Sequence, residues 1–110
     1  MSDVRIVFCT CPDNDSASRI AEALVGERLA ACVNLLPAID SVYRWQGAIE
    51  RASEVQLIIK TVESRLNALT ARIHALHPYD LPEVIAIEAA GGSPAYLDWI
   101  AAETLATPKN

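Results

Sequence analysis

The chain has no excess of positive charge. Nine Lys and Arg stand against fourteen Asp and Glu, giving a net charge of −5. An acidic chain without a basic stripe lacks the electrostatic footprint of a nucleic-acid or anionic-membrane binder. Long apolar runs are missing too: nothing approaches the roughly 18 consecutive apolar residues of a membrane-spanning helix. The opening MSDVRIVFCT is acidic early and enters a strand pattern directly, so no signal peptide is expected there. Cysteines number three, Cys9, Cys11 and Cys32. An odd count without a secretory signal points to reduced thiols and a cytoplasmic protein. Catalytic signatures are also lacking. There is no GxSxG, P-loop, GxGxxG, HExxH or CxxC, and only two histidines, His74 and His77. With no nucleophile beside a base and no acid–base pair, neither an enzyme nor an organic cofactor is expected.

What is present fits one domain spanning residues 1–110, of which 52% are hydrophobic and 21% charged. That mixture buries a core without disulfides or a structural metal. Residues 4–10 (VRIVFCT) read as a strand, and the turn cluster CPDNDS offers Asp13, Asn14 and Asp15 as helix N-caps. Ala17, Ile20, Ala21 and Leu24 then recur at helical spacing, predicting a helix over 15–28. Residues 31–45 are extended but interrupted by Pro37, which donates nothing to a ladder and predicts a bulge or an edge. Gln46-Gly47 suits a two-residue primed turn, and a strand over 48–61 returns from it. A second helix over 63–76 carries Leu66, Leu69, Ile73 and Leu76 on one stripe, and His77-Pro78 ends it. A strand over 83–88, a Gly91-Gly92 turn and a helix opened by Ser93-Pro94 and running to 104 complete the order β-α-β-β-α-β-α. With right-handed crossovers this predicts an α+β fold, a ferredoxin-like β-α-β-β-α-β sandwich with an extra C-terminal helix and a long central hairpin.

Two features predict self-association. Such a sandwich carries helices on one sheet face only, yet the strands are apolar on both. Val4, Ile6 and Phe8 alternate with Val7 and Cys9, and Ile85 and Ile87 alternate with Val84 and Ala86. The last helix covers part of the second face, and a partner subunit is needed for the rest. The hairpin arms also run to about a dozen residues, against the usual five or six.

Following the chain up and down the sheet places Cys9, Cys11, Trp45, His77, Tyr79 and Glu83 at one edge and Lys60 at the other. A thiolate, an imidazole and a carboxylate at one edge form a candidate site for copper or zinc, with Cys9, His77 and Glu83 as ligands. The competing reading makes Cys9 a small buried hydrophobe and His77 a helix C-cap. Trp45, Lys60 and Tyr79 are candidates for lining a ligand cleft, although Lys60 equally suits a side chain that snorkels to water. His74 reads as solvated and Cys32 as buried.

The segments FCTCPD, ERLAACVN, SVYRWQG, EVQLIIKT, HPYDLPEV and YLDWI, collinear over nearly the whole chain, resemble the divalent-cation tolerance protein CutA family. The resemblance implies a homotrimer of ferredoxin-like subunits, similar in assembly to the PII signalling proteins and stabilised by strand pairing that involves the hairpin. It implies tolerance to copper and other divalent cations, with a proposed copper site on the cysteine of the CT motif and the histidines before PY. Those positions hold Cys9 and His77. Leu76 stands where members with a paired HH have a second histidine, and Glu83 is the substitute ligand. No catalytic activity is implied. Two functions follow: a copper-binding, cation-tolerance homotrimer, or a PII-like regulatory or scaffold trimer that binds a small molecule or protein in its intersubunit clefts.

Overall fold

Four strands and three helices follow the expected order in a computed structural model that describes residues 3–105. They are β1 (Val4–Cys11), α1 (Asn14–Gly26), β2 (Cys32–Trp45), β3 (Ala48–Val62), α2 (Leu66–Leu76), β4 (Ile85–Glu88) and α3 (Pro94–Glu103), with a 3₁₀ turn over Glu63–Arg65 before α2. The sheet order is β2-β3-β1-β4 and every neighbouring pair is antiparallel, which is the ferredoxin-like arrangement. No helix among the described residues is long and apolar enough to cross a membrane.

Local chemistry sets the boundaries. Of the three candidate caps, Asp13 takes the role: its Oδ1 accepts from the Ser16 backbone N–H at 2.8 Å. Helix α1 ends in a Schellman motif, with Leu29 N–H donating to Leu24 O at 2.9 Å and Arg28 N–H to Val25 O at 3.2 Å. The left-handed position of that motif is Arg28, at φ 59°, rather than a glycine. At the hairpin, Gln46 and Gly47 have φ of 51° and 83°, the two positive values of a type I′ turn. The expected interruption at Pro37 is a β-bulge. The register runs Leu36↔Gln56 and then Ile39↔Glu54, leaving Pro37 and Ala38 opposite one residue of β3.

Helices α1 and α2 cover one face of the sheet. Ala17, Ile20 and Leu24 from α1 and Leu69 and Ile73 from α2 bury against Val7, Cys9, Cys11, Leu57 and Ile59. Ile100 of α3 packs with Val4, Ala31 and Val62 at the lower end of the opposite face. Above it that face stays open. Register puts Ile6 beside Ile87, and Phe8 between Ile58 and Ile85; Ile85 and Ile87 are 59% and 49% exposed. The hairpin overhangs the sheet, and the radius of gyration of 14.7 Å exceeds the value of about 13 Å for a compact chain of this length.

Strand β4 is shorter than the expected 83–88. Val4 O on that edge of β1 accepts from Ala89 N–H. Carbonyls alternate sides along a strand, so Thr10 O points to the same edge. It is taken by His77 Nε2 at 2.7 Å, leaving no partner there for a longer β4.

Candidate metal centre

Strand β1 persists to Cys11, so Cys9 and Cys11 point to the same, helix-covered face, and both are 0% exposed. His77 caps α2, its N–H donating to Ile73 O at 2.8 Å. Pro78 disfavours a helical conformation before it, and His77 is extended, at φ −77° and ψ 137°. Its ring returns to the end of β1 and is 8% exposed. Nε2 lies 3.7 Å from Cys11 Sγ, and the donor atoms of Cys9, Cys11 and His77 all fall within 4.8 Å of one another. Around one ion, metal–sulfur and metal–nitrogen bonds of about 2.3 and 2.0 Å set donors roughly 3.5–3.8 Å apart. The Cys11–His77 spacing fits that range.

Hydrogen bonds assign the imidazole tautomer. Thr10 O only accepts, so Nε2 carries the proton. Tyr79 N–H donates to Nδ1 at 3.0 Å, so Nδ1 holds the lone pair. The two thiols interact unequally. The Cys9 thiol is pushed up, first by its hydrogen bond with Cys11 and then by burial. The Cys11 thiol is drawn down by that same hydrogen bond, against burial.

A cleft of about 840 Å³ adjoins the cluster, with Tyr43, Trp45, Glu50, Glu54, Tyr79 and Glu83 among its lining residues. Tyr79 O–H donates to Glu54 Oε2 at 2.8 Å, and Glu54 is only 7% exposed. Burial, and then this carboxylate, push the Tyr79 phenol up. The Tyr79 ring centroid lies 4.8 Å from that of His77.

The structure thus brings Cys9 and His77 together. Glu83 is exposed and lines the cleft, outside the three-donor cluster, although its charge still reaches Cys9. Trp45 and Tyr79 share the cleft. Lys60 does not line it; it sits beside Ile6 and Cys32 in the ladders and hydrogen-bonds Asn34 Oδ1. His74 is exposed, and Cys32 is half-buried. Sequence reasoning put Cys11 at this edge without assigning it to the site; the Cys-x-Cys spacing on a strand was the available signal. It also missed Glu54 as the buried carboxylate beside Tyr79.

Residues 5–103 match the family model described as CutA1 divalent ion tolerance protein. The chain is 46% identical over 99 residues to the divalent-cation tolerance protein CutA of Thermus thermophilus, covering 90% of this chain and 96% of that protein. It is 47% identical over 95 residues to the chloroplastic protein CutA of Arabidopsis thaliana, covering 86% of this chain and 52% of that protein. The chain therefore spans about half the length of the latter relative, and likewise 54% of the chloroplastic protein CutA 1 of Oryza sativa. Among solved structures, CutA from Xylella fastidiosa superposes with a TM-score of 0.91 at 54% identity, covering 94% of this chain and 99% of that one. CutA1 from Oryza sativa superposes with a TM-score of 0.92 at 43% identity, covering 96% and 97%. By sequence and by fold, the chain belongs to the CutA1 divalent ion tolerance family.

Proposed function

We propose that the protein is a cytoplasmic homotrimer that binds copper or another thiophilic cation and serves cation tolerance, a binding rather than a catalytic role. The observation that carries this reading is the buried cluster of Cys9, Cys11 and His77, three soft-to-borderline donors within 4.8 Å. The open sheet face and the overhanging hairpin support the assembly, and unpaired buried thiols suit a reducing compartment. Calorimetric titration with Cu(I) under anaerobic conditions, and with Cu(II) and Zn(II), tests the binding. The wild type is expected to bind at least one of these ions, and a Cys9→Ser/His77→Ala double variant to lose at least tenfold in affinity for it; equal affinity for the two proteins removes the cluster from the reading. Size-exclusion chromatography with light scattering is expected to give three times the chain mass.

The cleft favours a second reading, a PII-like regulatory or scaffold trimer. Tyr43, Trp45 and Tyr79 offer aromatic surface beside four carboxylates, Glu50, Glu54, Asp80 and Glu83. A metabolite or protein that fills it raises the melting temperature without metal. A metabolite screen that leaves the melting temperature unmoved counts against this reading.

A further inference from the structure

We infer that the cluster is built for a soft monovalent cation, Cu(I), held between the sulfurs of Cys9 and Cys11, with His77 keeping its Nε2 proton on Thr10 O beside Cys11 rather than ligating. The inference rests on the reading that this cluster binds metal; it adds the donors and the charge of the ion.

The imidazole argues first. A histidine ligates through a lone pair and gives its other ring N–H to an acceptor. Here the polarity is reversed. Nε2, the nitrogen 3.7 Å from Cys11 Sγ, carries the proton and points it at Thr10 O. Nδ1 already accepts from Tyr79 N–H. Freeing Nε2 for an ion moves the ring proton to Nδ1, where it meets the Tyr79 N–H donor to donor. Thr10 O then loses its partner in a buried setting. Left in place, the Nε2 proton stays on Thr10 O, and the imidazole offers no lone pair to an ion beside Cys11 Sγ.

Coordination number argues second. Zinc takes four donors, and Cu(II) takes a tetragonal set of nitrogen and oxygen ligands. Cys9 and Cys11 are wholly buried, and the Glu83 carboxylate lies outside the cluster. With His77 withheld, two sulfurs remain. Two thiolates satisfy Cu(I), a soft d10 ion, in a near-linear arrangement. Two metal–sulfur bonds of about 2.2–2.3 Å in a line set the sulfurs roughly 4.5 Å apart, and the two sulfurs lie no more than 4.8 Å from each other. Binding releases the thiol protons to the buffer and transfers no electron, so copper must arrive already reduced.

Anaerobic titration of Cu(I) against bathocuproine disulfonate tests this. The wild type is expected to bind one Cu(I) per chain. Cys9→Ser and Cys11→Ser are each expected to weaken binding at least 100-fold, and His77→Gln, which keeps an N–H donor, less than tenfold. Copper K-edge absorption of the loaded wild type is expected to show two sulfur neighbours and no nitrogen. That measurement decides the donor set even if His77→Gln fails to fold, which circular dichroism reports. A nitrogen in the copper shell, or a His77→Gln loss as large as that of Cys11→Ser, overturns the inference. Cu(II) and Zn(II) titrations run beside it separate the two readings. Divalent binding without Cu(I) binding overturns the Cu(I) assignment alone, and absence of both overturns metal binding as well. Cu(I) on two sulfurs without divalent binding supports the inference.

Discussion

At the residue scale, one hydrogen bond ties the loop after α2 to β3. The Tyr79 hydroxyl donates to a Glu54 carboxylate that is almost wholly buried. Tyr79→Phe keeps the ring beside His77 and leaves that carboxylate without its donor. A loss of about 1–3 kcal/mol in stability is expected, read by urea unfolding at fixed protein concentration. Asp13 gives a pH-dependent counterpart. The Ser16 backbone N–H, and then its hydroxyl, hold the Asp13 carboxyl below its usual range. A folded value below the unfolded one means the cap stabilises fully above the ordinary carboxylate range and fades as pH falls through the folded value. Asp13→Asn keeps the accepting oxygen without the charge, so its stability is expected to fall less steeply between neutral pH and pH 3; parallel curves for the two proteins rule the effect out. The sequence narrowed this cap to Asp13, Asn14 and Asp15 but did not choose, because each carries a capping oxygen. The choice follows from which residue before the buried stripe of Ala17, Ile20 and Leu24 reaches the Ser16 N–H.

At the element scale, legibility divides along sequence separation. The primed turn at Gln46-Gly47 and the bulge at Pro37 are chemistry of a few adjacent residues, and both were readable. Gly47→Ala puts a β-carbon at φ 83° and is expected to destabilise the hairpin by about 1 kcal/mol in thermal unfolding. The end of α1 was less readable. The helical spacing predicted a helix to residue 28, whereas α1 ends at Gly26 and the chain is already left-handed at Arg28. The ion pair of Arg28 with Glu103 spans 3.8 Å at the surface and contributes little. Arg28→Gly is therefore expected to hold or raise stability; a clear loss in urea unfolding shows that the Arg28 side-chain contacts outweigh the backbone strain. Hardest to read was the bond between His77 and Thr10, 67 residues apart, which both shortens β4 and sets the imidazole tautomer. Cys9 and His77 were placed at one edge by topology alone, but no spacing rule states which ring nitrogen carries a proton.

At the scale of the molecule, the open sheet face sets the demand for partners. Ile6, Phe8, Ile58, Ile85 and Ile87 share it above the end covered by α3. Full burial of one such side chain stabilises by about 1.5–3 kcal/mol, and a three-fold assembly repeats each contact three times. Ile85 is the sharpest probe, because it is 59% exposed within one chain and belongs to neither buried core cluster. Ile85→Glu therefore costs the single subunit little, but it places a carboxylate where the proposed partner would exclude water. Even the low end of that range corresponds to about a tenfold loss in association per copy. Light scattering at micromolar concentration is expected to show the trimer mass for the wild type and the monomer mass for Ile85→Glu, with an unchanged far-ultraviolet spectrum. The variant is also expected to melt lower, at a temperature independent of its concentration. A trimer that survives Ile85→Glu would place its interface elsewhere, along β2 or the hairpin, and leave the apolar face to a different occupant.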